Sequence, residues 1–216
     1  SLGTLSGNGT VTYDGTDQGI YGYAYYNLVA DGNGIKTLGG DVSVTDDLTI
    51  DTDVTIAMDE YNLTVTDTTN VDGTLAVADN TLTLDGASDI DGTITISTGT
   101  VDANDNFDAT GGSITFTDAG NLNLFSTVTD LGTLSSNIGT VTYDGTDQTV
   151  FADDYYSLTA GGGSGTKTLG GDVTVANDLT IDTDVTIAMD THDLSVTNIT
   201  DIDGTLAVAD NILTLD

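Results

Sequence analysis

The sequence predicts an all-β fold, a parallel β-helix (β-solenoid) of short strands with about 20 residues per rung. Three observations carry this. Apolar residues fall in short apolar–polar–apolar triplets whose centres are often about six or seven residues apart. Proline is absent from all 216 residues, although it averages about 5% of ordinary chains, and a chain hydrogen-bonded to neighbours along most of its length would exclude it. A long stretch of the chain also occurs twice.

Taken in order, the triplets are Val42-Ser43-Val44, Leu48-Thr49-Ile50, Val54-Thr55-Ile56, Leu63-Thr64-Val65, Leu75-Ala76-Val77, Leu82-Thr83-Leu84, Ile94-Thr95-Ile96, Ile114-Thr115-Phe116 and Leu122-Asn123-Leu124. Each places two apolar side chains on one face and a polar or small one on the other. Turn residues separate them, such as Asp51-Thr52-Asp53 and Asp85-Gly86-Ala87-Ser88-Asp89. The spacing is too short for a sandwich, whose turns come every 8–12 residues or so. Three sides close one coil, and Leu63 to Leu82 is one such step. At a rung spacing of about 4.8 Å, about ten rungs make a rod about 50 Å long.

Leu2–Asp85 returns as Leu131–Asp216, about 70% identical, with two single-residue insertions in the second copy. Leu48–Asp59 is unchanged at Leu179–Asp190, and Asp72–Asn80 at Asp203–Asn211. Gly86–Asp130 occurs once. The organisation is therefore a first repeat unit over residues 1–130 and a partial second copy over 131–216, continuous with it. A tandem repeat of this kind points to an extended array, of which this chain reads as a segment. The copies are expected to superpose rung on rung, displaced along one axis. Gly19–Asn27 and its counterpart Thr149–Ser157 are variable and rich in aromatic residues, and the Gly-rich loops 31–34 and 161–165 differ in length. All four are expected to bulge from the rod.

The formal net charge is −33, from 35 acids against Lys36 and Lys167. That balance excludes nucleic acid, which needs clustered Lys or Arg, and disfavours an anionic membrane surface. No apolar run has the length of a membrane span. Glu60 is the single Glu, as expected where acids serve turns and not helices. Cysteine is absent, so thiol and disulfide chemistry are too.

The motif order GTVTYDGTDQ (Gly139–Gln148), Tyr-Tyr-x-Leu, KTLGGDVTV (Lys167–Val175), DLTI (Asp178–Ile181) resembles the repeats of very large bacterial surface proteins. Those are β-solenoids similar in kind to filamentous-haemagglutinin and autotransporter passenger domains. The resemblance spans essentially the whole chain. It implies a secreted, extracellular adhesin or cell-surface filament, and it transfers no catalytic residue.

Candidate chemistry is sparse. Asp51 and Asp53, with Asp182 and Asp184 in the second copy, put two carboxylates at one turn. Stacked turns of this kind could present oxygens to Ca²⁺, and the competing explanation is a solvated acidic turn. Asp102, Asn104, Asn106 and Asp108 have a calcium-loop look, but Phe107 stands where such a loop needs Gly and Ser113 where it needs Glu. Lyase chemistry wants a base; Lys36 and Lys167 are expected to be exposed or paired with Asp. His192, which is Tyr61 in the first copy, is expected to be idle. One Tyr of each pair, Tyr25-Tyr26 and Tyr155-Tyr156, is expected to face the core. Thr-x-Thr pairs such as Thr64–Thr66 and Thr93–Thr95 read as a solvated β face.

These observations predict no enzyme, no catalytic or cofactor-binding residue and no required cofactor, with Ca²⁺ as the one ion to consider. The expected role is a stiff, acidic rod in an extracellular filament or adhesin stalk. The rivals are a carbohydrate-binding or carbohydrate-cleaving β-helix and a Ca²⁺-stiffened or ice-binding adhesin segment. Expected partners are the protein itself, end to end, and surface or matrix polysaccharide.

Overall fold

A triplet such as Leu48-Thr49-Ile50 has two apolar side chains on one face and is too short to bury them alone. Stacking buries them. In the computed structural model, which describes residues 7–135 and 137–216, the chain winds into a three-sided β-solenoid of about 11 turns, with about 19 residues per turn. The described residues form thirty-two strands, numbered here in chain order, and none is helical, so no helix is long and apolar enough to cross a membrane. All nine triplets lie in strands. Within each sheet a strand pairs in parallel with the strands three before and three after it, and Leu63 faces Leu82 as the spacing predicts.

The inward side chains stack into ladders. One runs from Val42 through Leu63, Leu82, Val101 and Leu122 to Val141, Leu158 and Leu179, all with 2% exposure or less. Each fully buried Val, Leu or Ile contributes about 1.5–3 kcal/mol of transfer free energy. Volumes alternate where they must. Tyr13 stacks on Ala30 and Tyr143 on Ala160, so the small residue leaves room for the ring. Close rung approach also fixes some glycines: a Cβ on Gly73 would lie 2.3 Å from the Val54 carbonyl oxygen.

The two copies are not related by displacement alone. β1 (Thr10–Tyr13) lies in the first sheet, whereas its counterpart β21 (Thr140–Tyr143) lies in the third, stacked on β18 (Asn121–Leu124). The reason is numerical. The repeat advances twenty strands, and at three strands per turn that is six turns and two-thirds. The second copy is therefore turned by a third of a revolution relative to the first.

This phase shift leaves a seam. The third sheet is continuous over ten strands, but the first ends at β19 (Val128–Asp130) and the second at β20 (Thr133–Leu134). New sheets begin on those faces with β22 (Gln148–Val150) and β23 (Asp154–Tyr155). Among the described residues, no backbone hydrogen bond joins β19 to β22 or β20 to β23.

The variable segments do not bulge as expected. Gly19–Asn27 stays within a rung, with β2 (Gln18–Ile20) and β3 (Ala24–Tyr25) inside or beside it, and Tyr25 is in the core. The 31–34 and 161–165 loops are tight corners, made by Gly32 and Gly34 and by Gly162, Gly163 and Gly165 at positive φ.

Candidate functional site

The two lysines sit in the core, contrary to the expectation of exposure or an Asp partner. β5 (Gly34–Leu38) alternates, so Lys36 shares the inward face with Leu38, stacked between Gln18 and Ile56. Lys36 and Lys167 are both 0% exposed. The Lys36 amine donates to the carbonyl oxygens of Gly15, Thr16 (3.1 Å) and Asn33 (2.7 Å), and that of Lys167 to those of Gly145 and Thr146 (3.0 Å). Burial pushes the Lys167 amine below the usual lysine range, opposed by the nearby Asp144 and Asp147 charges.

Apart from that of Asn33, the carbonyls belong to the turn Asp14–Gln18, which recurs unchanged as Asp144–Gln148. Its other groups are bound as well. Gln18 Oε1 accepts the Gly15 N–H at 2.7 Å, and Gln148 Oε1 the Gly145 N–H at 2.7 Å. Asp17 Oδ1 accepts the Ile35 N–H of the next rung, as Asp147 Oδ1 accepts that of Thr166, both at 2.9 Å. Lys, Gln and Asp thus form one clasp that holds a corner and ties it to the rung above.

A second clasp is aromatic. Tyr21 N–H donates to the Tyr13 hydroxyl at 3.3 Å, and the Tyr25 hydroxyl donates to the Tyr21 carbonyl at 2.7 Å. The 2.9 Å contact between the two hydroxyls is then donated by Tyr13. Tyr143, Phe151 and Tyr155 repeat it. Position 21 contributes only backbone, which is why Phe can stand at 151. Burial pushes the hydroxyls of Tyr25, Tyr143 and Tyr155 above the ordinary tyrosine range. As expected, one Tyr of each pair is in the core; Tyr26 and Tyr156 are half-buried.

The acidic turns behave in two ways. Asp53 and Asp184 have φ of 66° and 65°, a left-handed conformation that Asp tolerates and a tight turn needs. Asp51 instead aligns with acids of adjacent rungs: partial burial, a hydrogen bond with Asp31, and the Asp31 and Asp72 charges raise its pKa. The second copy lacks this stack in full, since Gly161 replaces Asp31 beside Asp182. Asp89 is likewise raised by desolvation and by Asp91, Asp108 and Asp72. Among the described residues, no group of three or more His, Cys, Asp or Glu has metal-holding geometry.

The calcium-like run is spent on bracing. Asp102 accepts from Asn123 (2.6 Å), Asn104 donates to Asp85 (2.9 Å), Asn106 accepts from Thr129 (3.1 Å), and Asp108 accepts from Thr110 (2.6 Å). These partners lie in different directions, so the four side chains do not converge. Elsewhere Asp41 Oδ1 takes the Asn62 N–H and Asn62 Oδ1 the Thr81 N–H, each capping the next rung. His192 is part-buried, with Nδ1 3.9 Å from Asp172.

An open groove of about 870 Å³ lies at the seam. The turn Phe125–Val128 lies below it, the turn Thr146–Thr149 above, and Thr166 and Thr168 beyond. Phe125 is 54% exposed. Gln148 Nε2 pins one end shut by donating to the carbonyls of Leu124 (2.7 Å) and Ser126 (2.8 Å).

No protein-family model, curated protein or solved structure matches the chain. The fold and the repeat define a β-solenoid repeat segment.

Proposed function

We propose that the chain is a structural, non-catalytic segment of an extracellular repetitive filament or adhesin stalk, in which it acts as a stiff acidic rod. The observation that carries this is where the chemistry-bearing side chains go. Both lysines, both core tyrosine pairs and the Gln of each invariant turn are spent on internal hydrogen bonds in both copies. A repeat selected for catalysis or sugar capture would leave such groups facing a common groove. Parallel stacking supplies stiffness, because bending would open a ladder of hydrogen bonds on one side. The acidic surface favours solubility and resists lateral bundling without screening cations. Self-association end to end and contact with polysaccharide belong to this proposal.

Force spectroscopy on the chain held between handles tests it. A rod yields as a stepwise unwinding of rungs at high force. Cleavage of a polysaccharide, or its capture in a groove where the same residues converge in both copies, found by screening a panel of acidic and neutral glycans, would overturn the stalk reading in favour of a carbohydrate-active β-helix.

A further inference from the structure

We propose that the seam groove is a docking site for an extended, basic peptide strand supplied by another protein. Three observations meet there. First, the groove separates two strand edges, β19 below and β22 above, that have no backbone partner across it among the described residues. Unpaired edges of this kind are templates for an added strand, whose main-chain groups supply affinity while alternate side chains supply specificity. Second, the opening is large enough for a ligand and lies on the outer surface, lined mainly by short polar side chains: Ser126, Thr127, Thr146, Thr149. These leave the backbone accessible. Third, charge selects the occupant. Asp147 lines the groove, Asp130 closes β19, and the rod carries −33 with both lysines buried. A second copy of this acidic chain would be repelled from the site, whereas a strand with alternating Lys or Arg would be attracted.

Gln148 sets the limit of the site. Its amide already satisfies the Leu124 and Ser126 carbonyls, so the edge is capped at one end and open toward Val128–Asp130. The exposed ring of Phe125 stands at the capped end, where it can pack on the aliphatic stem of a lysine or arginine.

The test uses the whole chain and three fluorescein-labelled octapeptides: alternating Val-Lys, alternating Val-Glu, and the Val-Lys peptide with central prolines. Binding is read by fluorescence anisotropy and located by hydrogen exchange. The expected result is binding of the Val-Lys peptide alone, with new protection at residues 128–130 and 148–150. Thr149→Pro, which removes a donor from the β22 edge, and Thr127→Trp, which fills the groove, should each weaken it at least tenfold. Thr64→Trp, on a paired outer face, should leave it unchanged. Equal binding of the proline-containing peptide would show mere charge attraction and overturn the proposal. So would protection confined to the terminal rungs, or no binding of the Val-Lys peptide by a chain whose exchange pattern shows it folded.

Discussion

The hydroxyls of Tyr13 and Tyr25 meet at 2.9 Å inside the rod, and the pair carries a segment whose sequence is free to change. Their rings pack edge to face at 6.4 Å, as do those of Tyr143 and Tyr155. Between the paired rings the chain reads QGIYGYA in one copy and QTVFADD in the other, yet the clasp geometry is the same.

Tyr155→Phe should therefore destabilise the chain by about 1–3 kcal/mol, because the part-buried Phe151 carbonyl and the buried Tyr143 hydroxyl each lose a partner. Tyr143→Phe combined with Tyr155→Phe should cost less than the sum of the single changes, since both remove one shared bond. Denaturant unfolding of the four proteins measures this. Strict additivity would show that the hydroxyls act independently.

The lysine clasp gives a different readout. Lys36 and Lys167 are the two basic residues and both are fully buried, so the folded chain offers trypsin no accessible site. Native protein should resist digestion, and cleavage should track opening of the rungs. Lys36→Met should destabilise by about 1–3 kcal/mol by orphaning carbonyls, and more than Lys167→Met, which frees two acceptors and not three. Rapid tryptic cleavage of the native chain at Lys36 would contradict the buried geometry.

Acid should stabilise this protein over part of the range. The carboxyl groups of Asp51, Asp89, Asp144 and Asp153 are all raised, chiefly by burial. Their folded pKa values lie above the unfolded value of about 3.9. The folded state then binds protons first, so stability rises as pH falls through the folded pKa values and the gain is complete below about 4. At fixed ionic strength, Tm at pH 4.5 should exceed Tm at pH 7; the reverse order would refute the linkage. Tyr25, Tyr143 and Tyr155, raised in the same sense, predict loss of stability as pH climbs beyond about 10.

Salt should act in the same direction, because acids on neighbouring rungs such as Asp31, Asp51 and Asp72 lie well within a Debye length of about 10 Å at 0.1 M. Tm should rise with NaCl. A further rise with CaCl₂ at equal ionic strength would point to bound metal at these turns, and an unchanged Tm in both salts would remove the repulsion argument.

Glycines separate steric from conformational need. Gly73→Ala should be strongly destabilising because its Cβ meets the Val54 and Asp51 carbonyls at 2.3 and 2.5 Å. Gly19→Thr should be neutral or stabilising, since nothing lies within 4 Å of that Cβ and Thr149 occupies the equivalent place. Thermal melts of both variants check the contrast.

The architecture was legible because alternation is a local signal. Leu63-Thr64-Val65 states its own inward face, and the Leu63–Leu82 spacing states the rung. Composition alone places the lysines outside, whereas the period of two places them inside: Lys36 has the parity of Leu38. Burying it takes the local carbonyl of Asn33 together with those of Gly15 and Thr16, which lie one rung away and leave no mark near residue 36. The bracing of Asp102 and Asn104 was hidden for the same reason, since each partner is one rung away. The seam between Asp130 and Gln148 depends on how the repeat length divides by three, which no single motif contains.

That division has a consequence for any chain that continues the pattern. Each added unit would climb about 32 Å at a rung spacing of about 4.8 Å and face a new direction, returning to the starting azimuth after three units and about 96 Å. Equivalent points would trace a spiral stair around the rod, with no row of them along one side. A flat partner could then engage only every third unit, while a soluble partner could occupy all of them without crowding its neighbours.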